Sequence, residues 1–208
     1  MTFKLTKEEK DKIHQTIILQ ESKTDAEIVP VILHSAHHYI WANYLLGIIL
    51  GIVFYLILYF SPYNHKSPLI YLMFFSLGFT LGFTLCLIPK IKKYFLLKKE
   101  IDYAISLKSN EVFLHYNLHR TKNHQGVLIL ISLFERKIKI MRDFGVNEKI
   151  PEIEFEKIIS SFGKNFQENG ICNALLKSIE MTGEVLAKEI PKTNQKHNNE
   201  LPDEIIIE

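Results

Sequence analysis

Two stretches of this chain, residues 41–60 and 69–88, contain no Asp, Glu, Lys, Arg or His. Each runs for 20 residues. As a helix that length is about 30 Å, the hydrocarbon thickness of a bilayer. The composition, 47% hydrophobic and 23% charged, hides this segregation. A membrane hairpin with a charged soluble part on either side produces it. Trp41, Tyr44, Tyr59 and Tyr63 stand near the ends of the first run, where interfacial aromatics sit. Gly78-x-x-x-Gly82 in the second run is a small-xxx-small face. It can pack against the first run around Gly47 and Gly51, or against another protein.

Charge sets the expected topology. The segment between the runs, SPYNHKSP, carries only Lys66, whereas Lys90, Lys92, Lys93, Lys98 and Lys99 follow the second run. The positive-inside bias then leaves both termini and the soluble part in the cytoplasm of a two-pass protein of the cell (inner) membrane. Residues 1–40 show no apolar core followed by a small-residue cleavage site, so the first run is expected to be the targeting signal. A formal net charge of +2 offers no global field for nucleic acid. Cys86 falls in the second run and Cys172 in the soluble part, which gives no disulfide framework and suits a reducing compartment.

Local patterns predict the remaining elements. Thr6 and Glu9 have capping-box spacing ahead of Ile13 and Ile17, so a helix is expected over 7–22. Ile28–Leu33 reads as a buried strand, although Pro30 favours an edge or a bulge. The stretch after Pro89, IKKYFLLKKEIDYAISL, reads as a helix leaving the bilayer, or simply as a basic flank. GVLILISL (126–133) is the expected central strand, FERK a tight turn, and KIKIMR (137–142) a half-exposed hairpin partner. Pro151 opens a helix that Asn169-Gly170 ends, and a second carries Ile171, Leu175, Ile179, Thr182 and Leu186.

Neither the first strand nor the later hairpin is large enough to stand alone. The economical solution is one split α/β domain, residues 1–40 and 90–191, with a transmembrane hairpin (41–89) inserted in it. Residues 192–208 are polar and expected to be a disordered tail.

EIVPVI after Glu21 and Thr24, then LHRT, GVLILISLFERKIKI and DFGV, resemble in order and spacing the segments of the TPM domain family. The resemblance spans roughly residues 3–60 and 90–190 and includes the inserted hairpin of a bacterial membrane subgroup. It implies a compact α/β/α sandwich with a small mixed sheet. Relatives are linked to photosystem repair, to acid-phosphatase activity with bound calcium, and to accessory roles beside membrane complexes. Soluble members carry acidic residues after the central strand and a G-x-G-x-E-like stretch after the next. This chain has FERK and DFGV in those places.

With strands 28–33 and 126–133 parallel and 137–142 antiparallel, Glu27, His119, Thr121, His124 and Asp143 come to one end of the sheet. Glu27, His119 and Asp143 are the candidate ligands of a divalent cation such as calcium; the alternative is solvated strand-end charges and backbone caps. The opposite end gathers His34, His37, His38, Glu135 and Arg136. There the histidines read as interfacial polar residues, and Arg136 could pair with Glu135 or with lipid phosphate. Lys90, Lys92, Lys93, Lys98, Lys99, Trp41 and Arg136 form the candidate membrane-surface set. No Walker loop, G-x-G-x-x-G, G-x-S-x-G or H-E-x-x-H occurs. The expected function is a binding, assembly or maintenance module at a membrane protein complex, partnered by the bilayer and another membrane protein. The alternatives are a divalent-metal-dependent phosphatase-like hydrolase and an anionic-lipid sensor using Lys90 to Lys99.

Overall fold

The structure, a computed structural model, describes residues 5–62, 67–193, 201 and 204–207. Tyr63 and Lys66 of the inter-run turn lie outside the described residues. The chain forms two compact units, residues 1–36 with 103–208 and residues 37–102.

The first unit is an α/β fold around a mixed sheet. Helix α1 (Lys7–Glu21) starts where the capping box places it: Glu9 N donates to Thr6 Oγ1 at 3.3 Å, and Thr6 N donates to Glu9 Oε2 at 2.7 Å. The Thr6 N–H, with the Thr6 hydroxyl that also donates to Glu9 Oε2 at 2.9 Å, holds the Glu9 carboxyl below its ordinary pKa. Strand β1 (Glu27–Leu33) pairs in parallel with β2 (Gly126–Ser132), which pairs antiparallel with β3 (Lys137–Arg142). Parallel pairing needs a crossover, and between β1 and β2 the chain forms the second unit and helix α5 (Lys98–His115).

Both faces of β1 and β2 are buried, as their unbroken apolar runs require. Ile28, Ile32, Val127, Ile129 and Ile131 share a core with Ile13 and Ile17 of α1 and with Phe155, Ile158, Leu175, Ile179 and Leu186. The latter belong to α7 (Glu152–Glu189), a helical run broken at Gly170, where φ is +77°. The break falls at the Asn169-Gly170 signal. Val29, Val31, Leu33, Leu128 and Leu130 lie on the other face and are buried, as are Ile105, Ser109, Val112 and Phe113 of α5. The result is the α/β/α sandwich that the sequence implied.

Two further elements of this unit differ from expectation. A short helix, α6 (Phe144–Asn147), follows β3, capped by Asp143 Oδ1 accepting from Phe144 N at 2.8 Å. In the tail, Ile206–Ile207 form β4, which pairs in parallel with β1, giving the order β3-β2-β1-β4. The expected disordered tail is corrected at these residues. Three consecutive isoleucines in a polar segment show no alternation that would mark a strand, and pairing with β1 decides their state.

The second unit holds α2 (Ile40–Tyr59), α3 (Pro68–Leu85), α4 (Pro89–Phe95) and the start of α5. The helix expected after Pro89 is two: Leu96 is extended, with φ −86° and ψ 126°, and separates α4 from α5. α2 and α3 are long and apolar enough to cross a membrane. Only 22% of the apolar window in α2 and 11% of that in α3 is buried, unlike core helices of a water-soluble fold. The buried positions include the glycines. A Cβ on Gly78 would lie 2.5 Å from Leu50 O, and one on Gly82 2.5 Å from Leu46 O. Phe79 and Phe75 cover Gly47 and Gly51. The glycines thus let the two backbones approach closely.

Candidate functional site

The end of the sheet where β1 and β2 begin is built by a pair of tight turns. Residues 118–124 form two short 3-10 turns, with Asn117, Asn123 and His124 in the left-handed region. Thr121 turns inward: its hydroxyl donates to Leu118 O at 3.2 Å and accepts from Gln125 N at 3.0 Å. It caps backbone rather than facing a ligand. Glu27 N donates to Gln125 O at 3.2 Å, and Asp143 N donates to Gly126 O at 2.9 Å, so both carboxylate-bearing residues are tied to the start of β2.

The imidazole that meets Asp143 is His124. Its Nδ1 lies 3.2 Å from Asp143 Oδ2 and 3.1 Å from the His119 carbonyl. The Asp143 side chain is 13% exposed and that of His124 61%. His119 takes part here through its backbone; its Nδ1 is buried, with no hydrogen-bond partner among the described residues. Gln125 Oε1, also buried, is in the same position. Among the described residues, no group of three His, Cys, Asp or Glu side chains is gathered to hold a metal ion. The expected Glu27, His119 and Asp143 set is therefore not assembled as one. The left-handed turn at Asn123–His124 brings the later histidine to Asp143, and sequence spacing does not reveal such a turn. What this end offers is an exposed imidazole beside a carboxylate, a pair that can bind or relay a proton.

At the other end of the sheet, Glu135 is buried, 4% exposed, in the turn between β2 and β3. Its carboxylate accepts from the Ser132 hydroxyl, from Ser35 Oγ at 3.2 Å and from Ala36 N at 3.1 Å. Leu133 N and Phe134 N donate to Leu33 O and His34 O, each at 3.0 Å, and extend the ladder past the strands. Glu135 thus clamps the segment after β1 at Ala36, the last residue of the first unit before the chain enters the second. From the sequence, Glu135 is expected in the turn as a possible partner of Arg136. Arg136, in the left-handed region with φ 55°, is exposed. The turn therefore sends its two charges opposite ways.

The remaining predicted residues lie in the second unit. Trp41 is exposed on the first turn of α2. Lys90, Lys92 and Lys93 are on α4, and Lys98 and Lys99 open α5. Lys92 Nζ donates to His38 O at 3.1 Å, and the His37 ring packs edge-on against Tyr39 at 5.3 Å between centroids. His34 is exposed in the first unit. Asn43, on α2, is a polar group the sequence reading passed over: it is buried and its Oδ1 has no partner among the described residues.

No curated protein matches this chain. A similar solved structure is the NMR structure of the BA42 protein from the psychrophilic bacterium Bizionia argentinensis. The two align with a TM-score of 0.61 and 17% identity, over 100% of this chain and 98% of that one. At that identity the likeness speaks to the fold alone. Residues 94–185, from the end of α4 through most of α7, match the model of the TPM domain, and that is the family this stretch of the chain is similar to.

Proposed function

We propose that this chain is a two-pass membrane protein whose α/β domain serves as a binding or assembly module at a membrane protein complex. The observation that carries the reading is the outward surface of α2 and α3. Ile48, Ile52, Leu56, Leu72, Met73 and Leu77 are all exposed, on helices long enough to span a bilayer. The lysines from Lys90 to Lys99 then mark the cytoplasmic side. A second surface supports the binding role. Tyr103, Leu107 and Leu114 are exposed on α5 at spacings of four and seven, which puts them on one face of the helix.

Two tests apply. The full chain should stay in the membrane pellet through an alkaline carbonate wash. A photo-crosslinking side chain at Leu107 should give one discrete protein adduct in native membranes, and the same group at exposed Lys164 should give none. Release of the chain by carbonate, or equal adducts from both sites, would contradict the proposal. Phosphate release from p-nitrophenyl phosphate that disappears in Asp143→Asn and His124→Ala would replace it with the hydrolase reading.

A further inference from the structure

Among the described residues, β1 has β2 along its whole length on one side and the two residues of β4 on the other. Backbone N–H and C=O groups point to alternate sides along a strand. Glu27 N donates to Gln125 O, and Leu33 O accepts from Leu133 N. The odd-numbered residues of β1 therefore face β2, and Ile28, Pro30 and Ile32 face the outer edge. Such an edge is a template for another strand unless it is blunted. Here the Ile28 N–H is taken by Glu21 Oε1 at 2.7 Å. Pro30 has no N–H to give. Ile32 is the position left for pairing, and β4 lies there, with Val31 opposite Ile206 and Ile32 opposite Ile207.

The resident strand has a short hold on this position. Its two residues are half-buried and exposed, and Ile207 is 39% exposed. The neighbouring Ile205 packs against the core. Glu204 and Ile205 line a hollow with Lys10, Asp11 and His14 of α1. The edge is thus matched to an acid, an aliphatic residue turned to the core, and a strand-forming pair running parallel to β1.

We propose that the outer edge of β1 is a strand-accepting site for an extended acidic–aliphatic segment of another protein. In this reading β4 is the chain's own occupant, and it leaves when that segment enters. Glu21 and Pro30 confine pairing to the end of β1 nearest Ile32, and the hollow that receives the acidic residue ahead of the aliphatic ones is lined by Lys10 and Asp11 together. The inference rests on the binding-module reading above. The assay below reads the β1 edge, whereas crosslinking at Leu107 reads α5, so each can fail without the other.

The probe is a fluorescent peptide of residues 201–208, LPDEIIIE, titrated into the detergent-purified full chain. The comparison is between the natural chain and Ile205→Asp/Ile206→Pro, which releases the tail. The released variant should bind at least about tenfold more tightly, because an occupied site lowers apparent affinity by the fraction that is open. A peptide with proline in place of Ile206 should not bind. Should the double variant lose cooperative unfolding, Ile206→Pro alone makes the same comparison with the change confined to β4. Absence of saturable binding to the released chain, or equal affinity for both chains, would overturn the proposal. So would concentration-dependent dimerisation of the natural chain that the variant lacks, because the tail would then exchange between copies.

Discussion

Gly183→Val should destabilise the α/β unit by about 3 kcal/mol, the upper part of the range for overpacking. α1 and α7 meet along a face of α7 that carries Ala174, Ser178, Thr182 and Gly183, all buried. A Cβ at position 183 would fall on Gln20 Cβ and Cγ. Gln20 is itself buried on α1, and its Cβ is fixed to the helix backbone, so rotation of the side chain cannot clear the space. Gly→Ala in a helix interior ordinarily gains about 1 kcal/mol. The clash has to exceed that gain, and Gly183→Ala should still lose about 1 kcal/mol. The branched valine adds rotamer restriction against the preceding turn. A urea titration of the detergent-purified chain, followed by far-ultraviolet circular dichroism, gives both values. Stabilisation by Gly183→Ala would mean that the two helices do not approach so closely.

Glu135→Ala should cost a comparable amount, about 3 kcal/mol, through loss of the acceptor that Ser132, Ser35 and Ala36 share. The serine hydroxyls can rotate towards other acceptors. The N–H of half-buried Ala36 cannot; a fully buried donor left without a partner costs about 1–3 kcal/mol, and this one a part of that. Loss of the buried side chain adds a cavity term. Glu135→Gln keeps one acceptor oxygen but turns an N–H2 towards donors, so it should fall between the two. Hydrogen exchange supplies a local readout. The Ala36 amide should exchange on the order of a hundredfold faster in Glu135→Ala, the equivalent of about 3 kcal/mol. Unchanged protection there would show that the clamp does not hold the segment after β1.

The sequence made the layers legible where pattern and chemistry agree. The apolar runs at β1 and β2 require cover on both faces, and the sandwich supplies it. Thr6 and Glu9 mark the start of α1, and Gly170 marks the break in α7. Pro30 looked out of place in a buried strand. The alternation of backbone groups resolves this, because the missing N–H points away from β2. Features that depend on contacts distant in sequence were hidden. β4 exists because β1 has an unfilled position at Ile32, and nothing in EIIIE states that. Glu135 reads as a turn charge until Ser35 and Ala36 are brought across from β1. At the other end, two left-handed residues, Asn123 and His124, decide which imidazole meets Asp143.

Residues 1–36 and 103–208 make one folded unit, interrupted in sequence by an apolar helix pair. Urea unfolding of residues 98–208, with and without residues 1–36 joined to them by a flexible Gly/Ser linker in place of the hairpin, tests it most directly. The joined chain should be soluble without detergent and unfold in a single cooperative transition. Residues 98–208 alone should show no such transition, because β2 would lack β1 and the core would lack Ile13, Ile17, Ile28 and Ile32. A cooperative, monomeric fold from residues 98–208 alone, or a joined chain that does not fold, would contradict the account.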